Sequence, residues 1–196
     1  MPTGVHLRDV RTQLFDAAER ILLRDGPGAL TSRAVTAEAD VAKGVLHKHF
    51  ADFDGFLAEL VLDRVDRMRP RFTALREAAG TGDVAGNVTE ALTELFGSVA
   101  VAIIPLITFR DELRARLREH VPTGVPILSE AGTLLAAYLA AERDLGRLAP
   151  DADVHVLAGT LLGGTHLLFA DRQGPRPEPA AVHKAVTTVL AGARPS

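Results

Sequence analysis

Leu30 to Leu57 reads LTSRAVTAEADVAKGVLHKHFADFDGFL, two helix-sized segments around the turn Ala39-Asp40-Val41. Thr31 or Ser32 can cap the first segment, because a side-chain oxygen there accepts from an unpaired N–H of the first turn. The second ends near Phe50. Asp52 and Asp54 then offer caps for a further helix, Phe56 to Met68, which Pro70 ends or kinks. Leu30, Ala34, Val35, Ala39, Val41, Leu46 and Phe50 sit where two helices joined by a tight turn would seal against a third. That leaves Arg33, Lys43, Val45, His47, Lys48 and His49 to face outward. Such a pair can stand its second helix in a DNA major groove while the first lies across the backbone.

Upstream, Val10, Leu14, Ala17, Ala18, Ile21 and Leu22 recur at three- and four-residue spacing, the apolar stripe of a first helix. Asp25-Gly26-Pro27-Gly28 stops it. Downstream, helical periodicity continues and no strand-turn-strand unit appears. Gly80-Thr81-Gly82-Asp83 is a break, followed by a helix over 83–104 with Pro105 as its kink. Leu106 to Glu119 carries alternating charges and reads as a solvated face. His120 to Pro126 is a loop. Further helices span 128–145, 152–170 and 180–191, with Asp171 to Pro179 a Pro/Gly-rich linker. The expected fold is therefore all-α, with about nine helices: a three-helix helix-turn-helix head over 1–55 and a helical remainder over 56–196.

The 196 residues carry no cysteine, which excludes disulfide scaffolds, thiolate nucleophiles and zinc-thiolate sites and suits a reducing cytoplasm. Arg8, Asp9 and Arg11 interrupt the first apolar stretch, so no signal segment is read there. The apolar window Leu92 to Phe109 is broken by Glu94, Gly97 and Pro105 and reads as core rather than as a membrane span. Basic residues are almost all arginine, a compositional bias of GC-rich bacterial genomes. The net charge is −3, and residues 1–55 hold seven Lys/Arg against eight Asp/Glu. Any DNA contact must therefore rest on the placement of cations rather than on their total.

The stretch around Leu30–Leu57 resembles the amino-terminal head of the TetR family. Gly26, Thr31-Ser32, Val35, Ala39, Val41, Gly44, Leu46, His49-Phe50 and Leu57 stand at that family's spacing. The resemblance covers about 50 residues; the rest agrees only in helical character and length. It implies that Thr31, Ser32, His47 and His49 contact phosphate, with Lys48 beside them, and that Arg33 and Lys43 reach base edges. Val45 shares their outward face. Four positions depart from the pattern: Asp40 replaces the turn glycine, Ala42 the capping serine, His47 a tyrosine and Phe53 a lysine.

The same resemblance implies a ligand-responsive repressor, homodimeric through its last two helices (about 152–170 and 180–191), on a palindromic double-stranded operator. Recognition helices of such a dimer lie roughly 34–36 Å apart. Leu157, Leu161, Leu168, Val182, Val186, Val189 and Leu190 supply an apolar seam, with Gly159, Gly163 and Gly164 allowing close approach. A small-molecule chamber is expected among Met68, Phe72, Phe96, Val99, Ile103, Phe109, Leu113, Leu135, Tyr138, Thr165 and His166. Tyr138 and His166 would supply polar tips inside an apolar surround. The lining is mostly uncharged, which favours a hydrophobic, aromatic or polycyclic effector over a phosphorylated metabolite.

No cofactor and no metal are expected, since His47 and His49 diverge on a helix and His155 and His166 lie three turns apart. No hydrolase, phosphate-loop, dinucleotide or zinc-protease motif occurs, so an enzyme is not expected. The competing reading is a helical small-molecule-binding or interaction protein whose head does not bind DNA. The near-neutral head and the departures at 40, 42 and 53 favour that alternative.

Overall fold

The computed structural model describes residues 3–171 and 174–195; Arg172 and Gln173, inside the expected linker, lie outside the described residues. Among the described residues there are ten α-helices, two 3-10 turns and no strand. No single helix there is long and apolar enough to cross a membrane.

Helix α1 (Thr3–Arg24) buries Leu14, Ala17, Ala18, Ile21 and Leu22, the stripe its periodicity predicts. Gly26 ends it in the left-handed region (φ 84°) and donates back to the Ile21 carbonyl at 3.2 Å. A 3-10 turn, Pro27–Ala29, leads to α2 (Ser32–Glu38). Of the two candidate caps it is Thr31 that acts: its hydroxyl oxygen accepts from the Ala34 N–H at 3.1 Å. Helix α3 (Val45–His49) is shorter than expected, with the turn running on to Gly44. Its N-cap, Gly44, makes no side-chain bond, and the Val45 N–H returns to the carbonyl of Ala42, a residue with no side-chain oxygen to cap an earlier start.

Helix α4 (Phe53–Glu77) begins earlier and ends later than the sequence suggests, passing through Pro70 without stopping. Asp52 caps it, its Oδ1 accepting from the Gly55 N–H at 2.8 Å. Beyond the proline, Phe72 and Leu75 are buried, and Arg69 and Arg71 pair with Glu130 and with Glu90 and Glu94. These contacts offset the one rung that Pro70 removes. Helices α5 (Val84–Gly97) and α6 (Ala100–Thr108) replace the single helix expected to break at Pro105. The break falls at Ser98 instead. Its hydroxyl donates to the Leu95 carbonyl at 2.5 Å and accepts from the Ala100 N–H at 3.2 Å, closing one helix and opening the next. The remaining helices are α7 (Asp111–Arg118), α8 (Pro126–Asp144), α9 (Val154–Phe169) and α10 (Pro179–Leu190).

Two compact units result. The first takes the chain up to Asp63 together with Ala102–Val125; the second takes Arg64–Val101 and the chain from Pro126 onward. The first is centred on three rings. Phe50 meets Phe56 edge-on at 5.0 Å, and Phe15 lies 5.7 and 5.6 Å from the two. Arginines of the 110–118 segment reach the start of α4: Arg110 Nε lies 2.5 Å from Asp54 and Arg116 Nη2 2.5 Å from Asp52. The charged stretch over 106–119 is therefore a solvated face only in part.

In the second unit α8 packs on α9, and α10 on both α5 and α9. Glu142 is fully buried there. It accepts from the Gly80 N–H at 3.2 Å, pairs with Arg147 at 3.2 Å and is hydrogen-bonded to Tyr138. Arg147 also donates to the Gly82 carbonyl at 2.6 Å, and Asn87 to the Tyr138 hydroxyl at 3.1 Å. This knot ties the 80–83 turn to the end of α8.

Candidate nucleic-acid interface and ligand-chamber residues

The turn between α2 and α3 depends on one backbone conformation. Asp40 is the sole non-glycine residue with positive φ (52°) among the described residues. The Val41 N–H returns to the Thr36 carbonyl at 3.0 Å and the Asp40 N–H to Ala37 at 3.2 Å, the paired bonds of a Schellman ending. An aspartate in the position that glycine prefers thus keeps the turn closed, at some steric cost.

Helix α1 holds both helices of the motif by their carboxy-terminal carbonyls. Gln13 donates to Ala39 at 2.8 Å, Arg20 to Glu38 at 3.2 Å and Arg11 to His49 at 2.9 Å. None of these supporting residues stands out by type. The signal that could have found them is their place on α1 beside the buried stripe.

The predicted DNA-contacting residues divide by exposure. Thr31, Arg33, Lys43, His47 and Lys48 are exposed, whereas Ser32, Val45 and His49 are half-buried. On α3, Leu46 and Phe50 turn inward, so His47 and Lys48 take the opposite side. Thr31 uses its oxygen as the cap of α2, which leaves its hydroxyl hydrogen for a second partner.

Pairing sorts the charges of this region. Arg20 and Arg24 pair with Glu38, Arg24 also with Asp25, and Arg11 with Glu59. Arg20 and then Arg24 hold the Glu38 carboxyl below its usual range. The Gly55 N–H, and less strongly Arg116, do the same for Asp52. Glu38 is thereby withdrawn from Arg33. Among the described residues Arg33, Lys43 and Lys48 make no ion pair, and all three are exposed. The near-neutral total conceals this asymmetry. Glu38, Asp52 and Asp54 are tied into the scaffold, whereas Asp40 at the turn and the three motif cations remain exposed.

The eleven residues expected around a ligand fall in both units: Ile103, Phe109 and Leu113 in the first, the other eight in the second. Phe72, Phe96, Val99, Ile103, Leu113, Leu135, Tyr138 and Thr165 are buried, Met68 and His166 are half-buried, and Phe109 is 87 % exposed. The structure brings the His166 ring to 5.6 Å from Phe96, with Phe169 6.1 Å from the same ring. Burial lowers the His166 pKa and so favours neutral imidazole. Tyr138 has its hydroxyl engaged by Asn87 and Glu142; desolvation first, then Glu142, pushes its phenol up. Sequence reading missed Glu142, although a signal was present. It lies on the buried stripe of Ala131, Leu135, Tyr138 and Leu139, where a charge needs partners.

An open groove of about 610 Å³ also lies in the second unit. Ala136, Ala137 and Ala140 form part of its wall, with Arg143, Asp153 and His155 among its polar groups; none of the eleven residues lines it.

The expected dimer seam requires a correction. Of the seven residues expected there, Leu161, Val182, Val186 and Leu190 are buried inside their own unit, where α9 packs on α8, α10 and α5 and α10 packs on α5; Leu157 and Val189 are half-buried and Leu168 is exposed. The α9 residues left to solvent include Val156 (63 % exposed), Thr160, Leu167 (74 %), the expected Leu168 and the three glycines expected to allow close approach, Gly159, Gly163 and Gly164. A Cβ built at any of the three glycines would meet nothing within 4 Å beyond the backbone of its own helix.

Residues 14–60 match the family model described as bacterial regulatory proteins, tetR family. Solved structures match over nearly the whole chain. A TetR-family transcriptional regulator from Agrobacterium tumefaciens is 12 % identical with TM-score 0.72, covering 96 % of this chain and 99 % of that one. A transcriptional regulator from Rhodococcus sp. RHA1 is 23 % identical with TM-score 0.70, covering 93 % and 97 %. The regulator FadR from Bacillus subtilis, solved with stearoyl-CoA, is 17 % identical with TM-score 0.69, covering 92 % and 98 %. The chain matches no curated protein. Its helix-turn-helix head is that of the TetR family of bacterial regulatory proteins, carried on the fold of TetR-family transcriptional regulators.

Proposed function

We propose that this chain is a ligand-responsive transcriptional regulator. It binds a palindromic operator as a homodimer and is released when a hydrophobic small molecule occupies its carboxy-terminal helices. The observation that carries the reading is the sorting of charge on the motif: among the described residues Arg33, Lys43 and Lys48 stay exposed and without ion pairs, while Glu38 of α2 is taken by Arg20 and Arg24 of α1. Arginine or lysine donating to guanine O6/N7 supplies roughly 1–3 kcal/mol of discrimination per good contact. We assign that role to Arg33 and Lys43. Thr31, Ser32, His47, Lys48 and His49 contact phosphate and fix the register.

The exposed α9 face supports the dimer. Val156 and Leu167 are large apolar side chains left in water, and the small residues between them admit a neighbouring backbone. We place the twofold interface there, with α10 alongside. For the effector, the support is the set of buried apolar and aromatic side chains packed around Phe96 and His166. The stearoyl-CoA bound by the Bacillus subtilis regulator adds an acyl chain to the candidate chemistry.

A mobility-shift titration with the DNA flanking its own gene, across a salt series, tests the reading. The expected result is a specific complex whose affinity falls as salt rises. The reading fails if no such complex forms. Binding confined to the carboxy-terminal helices, with a ligand-induced rise in melting temperature, would then favour the non-DNA-binding alternative.

A further inference from the structure

Helix α3 has only five residues, well below the length at which an isolated helix persists in water. Its N-cap is Gly44, which gives no side-chain bond. With no side-chain cap at its start, an anchor at its other end adds to what the α2–α3 turn and the buried Leu46 supply. The last carbonyls of a helix lack partners within it, and a cation there also meets the negative end of the peptide dipoles.

Arg11 supplies that anchor. One of its terminal nitrogens donates to the His49 carbonyl at 2.9 Å, the other pairs with Glu59 of α4, and the guanidinium carbon lies 4.4 Å from the Phe50 ring centroid. Phe50 in turn is wedged against Phe56 and Phe15. One side chain thus joins α1, the end of α3 and the flank of α4.

We infer that Arg11 is a positioning residue for DNA reading. It sets the tilt of the recognition helix from its carboxy-terminal end and does not itself contact DNA. This rests on the DNA-binding reading above. A tilt of α3 about Phe50 would displace Val45, His47 and Lys48 and, farthest from that pivot, Lys43 in the turn that leads directly into the helix, the one base-reading candidate it carries. Base-edge bonds tolerate only a narrow range of distance and angle, whereas attraction to phosphate is less demanding. Loss of Arg11 therefore removes sequence discrimination before it removes affinity for DNA in general.

The test uses the full chain with Arg11→Lys, Arg11→Met and Glu59→Gln. Lysine keeps the charge but not the planar fork that serves two acceptors at once, and methionine keeps only the apolar stem. The probes are a duplex enriched from a random-sequence pool by the wild-type protein and a scrambled duplex of equal length, each titrated over several salt concentrations. Amide exchange is followed in parallel. Arg11→Lys and Arg11→Met are expected to weaken binding to the enriched duplex at least about tenfold and to the scrambled one less than about twofold, with an unchanged salt slope. Exchange should accelerate in the last turn of α3 while α1 and α4 stay protected. Glu59→Gln should have a smaller effect, since the His49 bond survives.

Equal weakening on both duplexes, with a salt slope reduced by about one, would make Arg11 a phosphate contact and overturn the inference. Enriched-duplex affinity kept within twofold by both Arg11 variants would overturn it too. If the wild type enriches no sequence, the DNA-binding reading itself has failed. Unchanged α3 exchange in the variants would then also refute the anchoring.

Discussion

Two sets of charged side chains divide the molecule. Around Glu142 every polar group is satisfied by another: the carboxylate by Arg147, Tyr138 and the Gly80 N–H, the arginine also by backbone carbonyls of the 80–83 turn. On the helix-turn-helix motif Arg33, Lys43 and Lys48 extend into solvent with no ion pair among the described residues. Folding explains the first set completely and the second not at all. Charges whose partners lie within the chain maintain its shape, whereas the exposed motif cations are the ones the proposed DNA contact would use.

The sharpest way to break the comparison is to exchange the expected effects. Glu142→Ala leaves a buried phenol and a backbone N–H without their acceptor and Arg147 without its carboxylate. It should lower unfolding stability by about 3 kcal/mol, read from urea denaturation. Tyr138→Phe should cost about 1 kcal/mol by the same measurement. Lys48→Ala should leave the urea midpoint within about 0.5 kcal/mol of wild type, yet weaken mobility-shift binding to every DNA sequence and reduce the salt slope by about one. If Lys48→Ala destabilised the protein as Glu142→Ala does, the division would be false.

A smaller effect, of opposite sign, is expected at the turn. Asp40 holds a left-handed conformation, so Asp40→Gly should stabilise the head by up to about 1 kcal/mol in thermal melts, and Asp40→Ala should destabilise it. The smallest effect is a pH dependence. Burial depresses the His166 pKa, so the unfolded chain binds a proton more readily than the folded one. Its contribution is present above the unfolded value near 6.5 and fades as pH falls from there through the folded pKa. His166→Phe should flatten the melting temperature between about pH 6.5 and 5; an unchanged slope would remove His166 as its source.

The motif was legible because its information is local. Apolar spacing, the Thr31 cap and a residue able to take positive φ at 40 all lie within a few residues of the structure they specify. Prolines misled for the opposite reason. Pro70 and Pro105 weaken a helix on their own, but burial of Phe72 and Leu75 carries α4 past the first, and Ser98 places the α5–α6 break ahead of the second. Ion pairs were hidden by sequence distance. Arg110 finds Asp54 56 positions away and Arg116 finds Asp52 64 positions away, separations with no periodicity to reveal them. For the dimer, helical spacing identified apolar residues on α9 and α10. It could not say which apolar face the chain would consume in its own core.

That unconsumed face of α9 separates two kinds of selection. A Cβ added at Gly159, Gly163 or Gly164 meets no neighbouring element within 4 Å, so on the interface proposed for α9 it would alter which subunits associate while leaving each subunit free to fold. After gene duplication, a single bulky substitution there could divide one pool of mixed subunits into two that no longer exchange. Independent regulatory circuits could then arise without redesign of the fold.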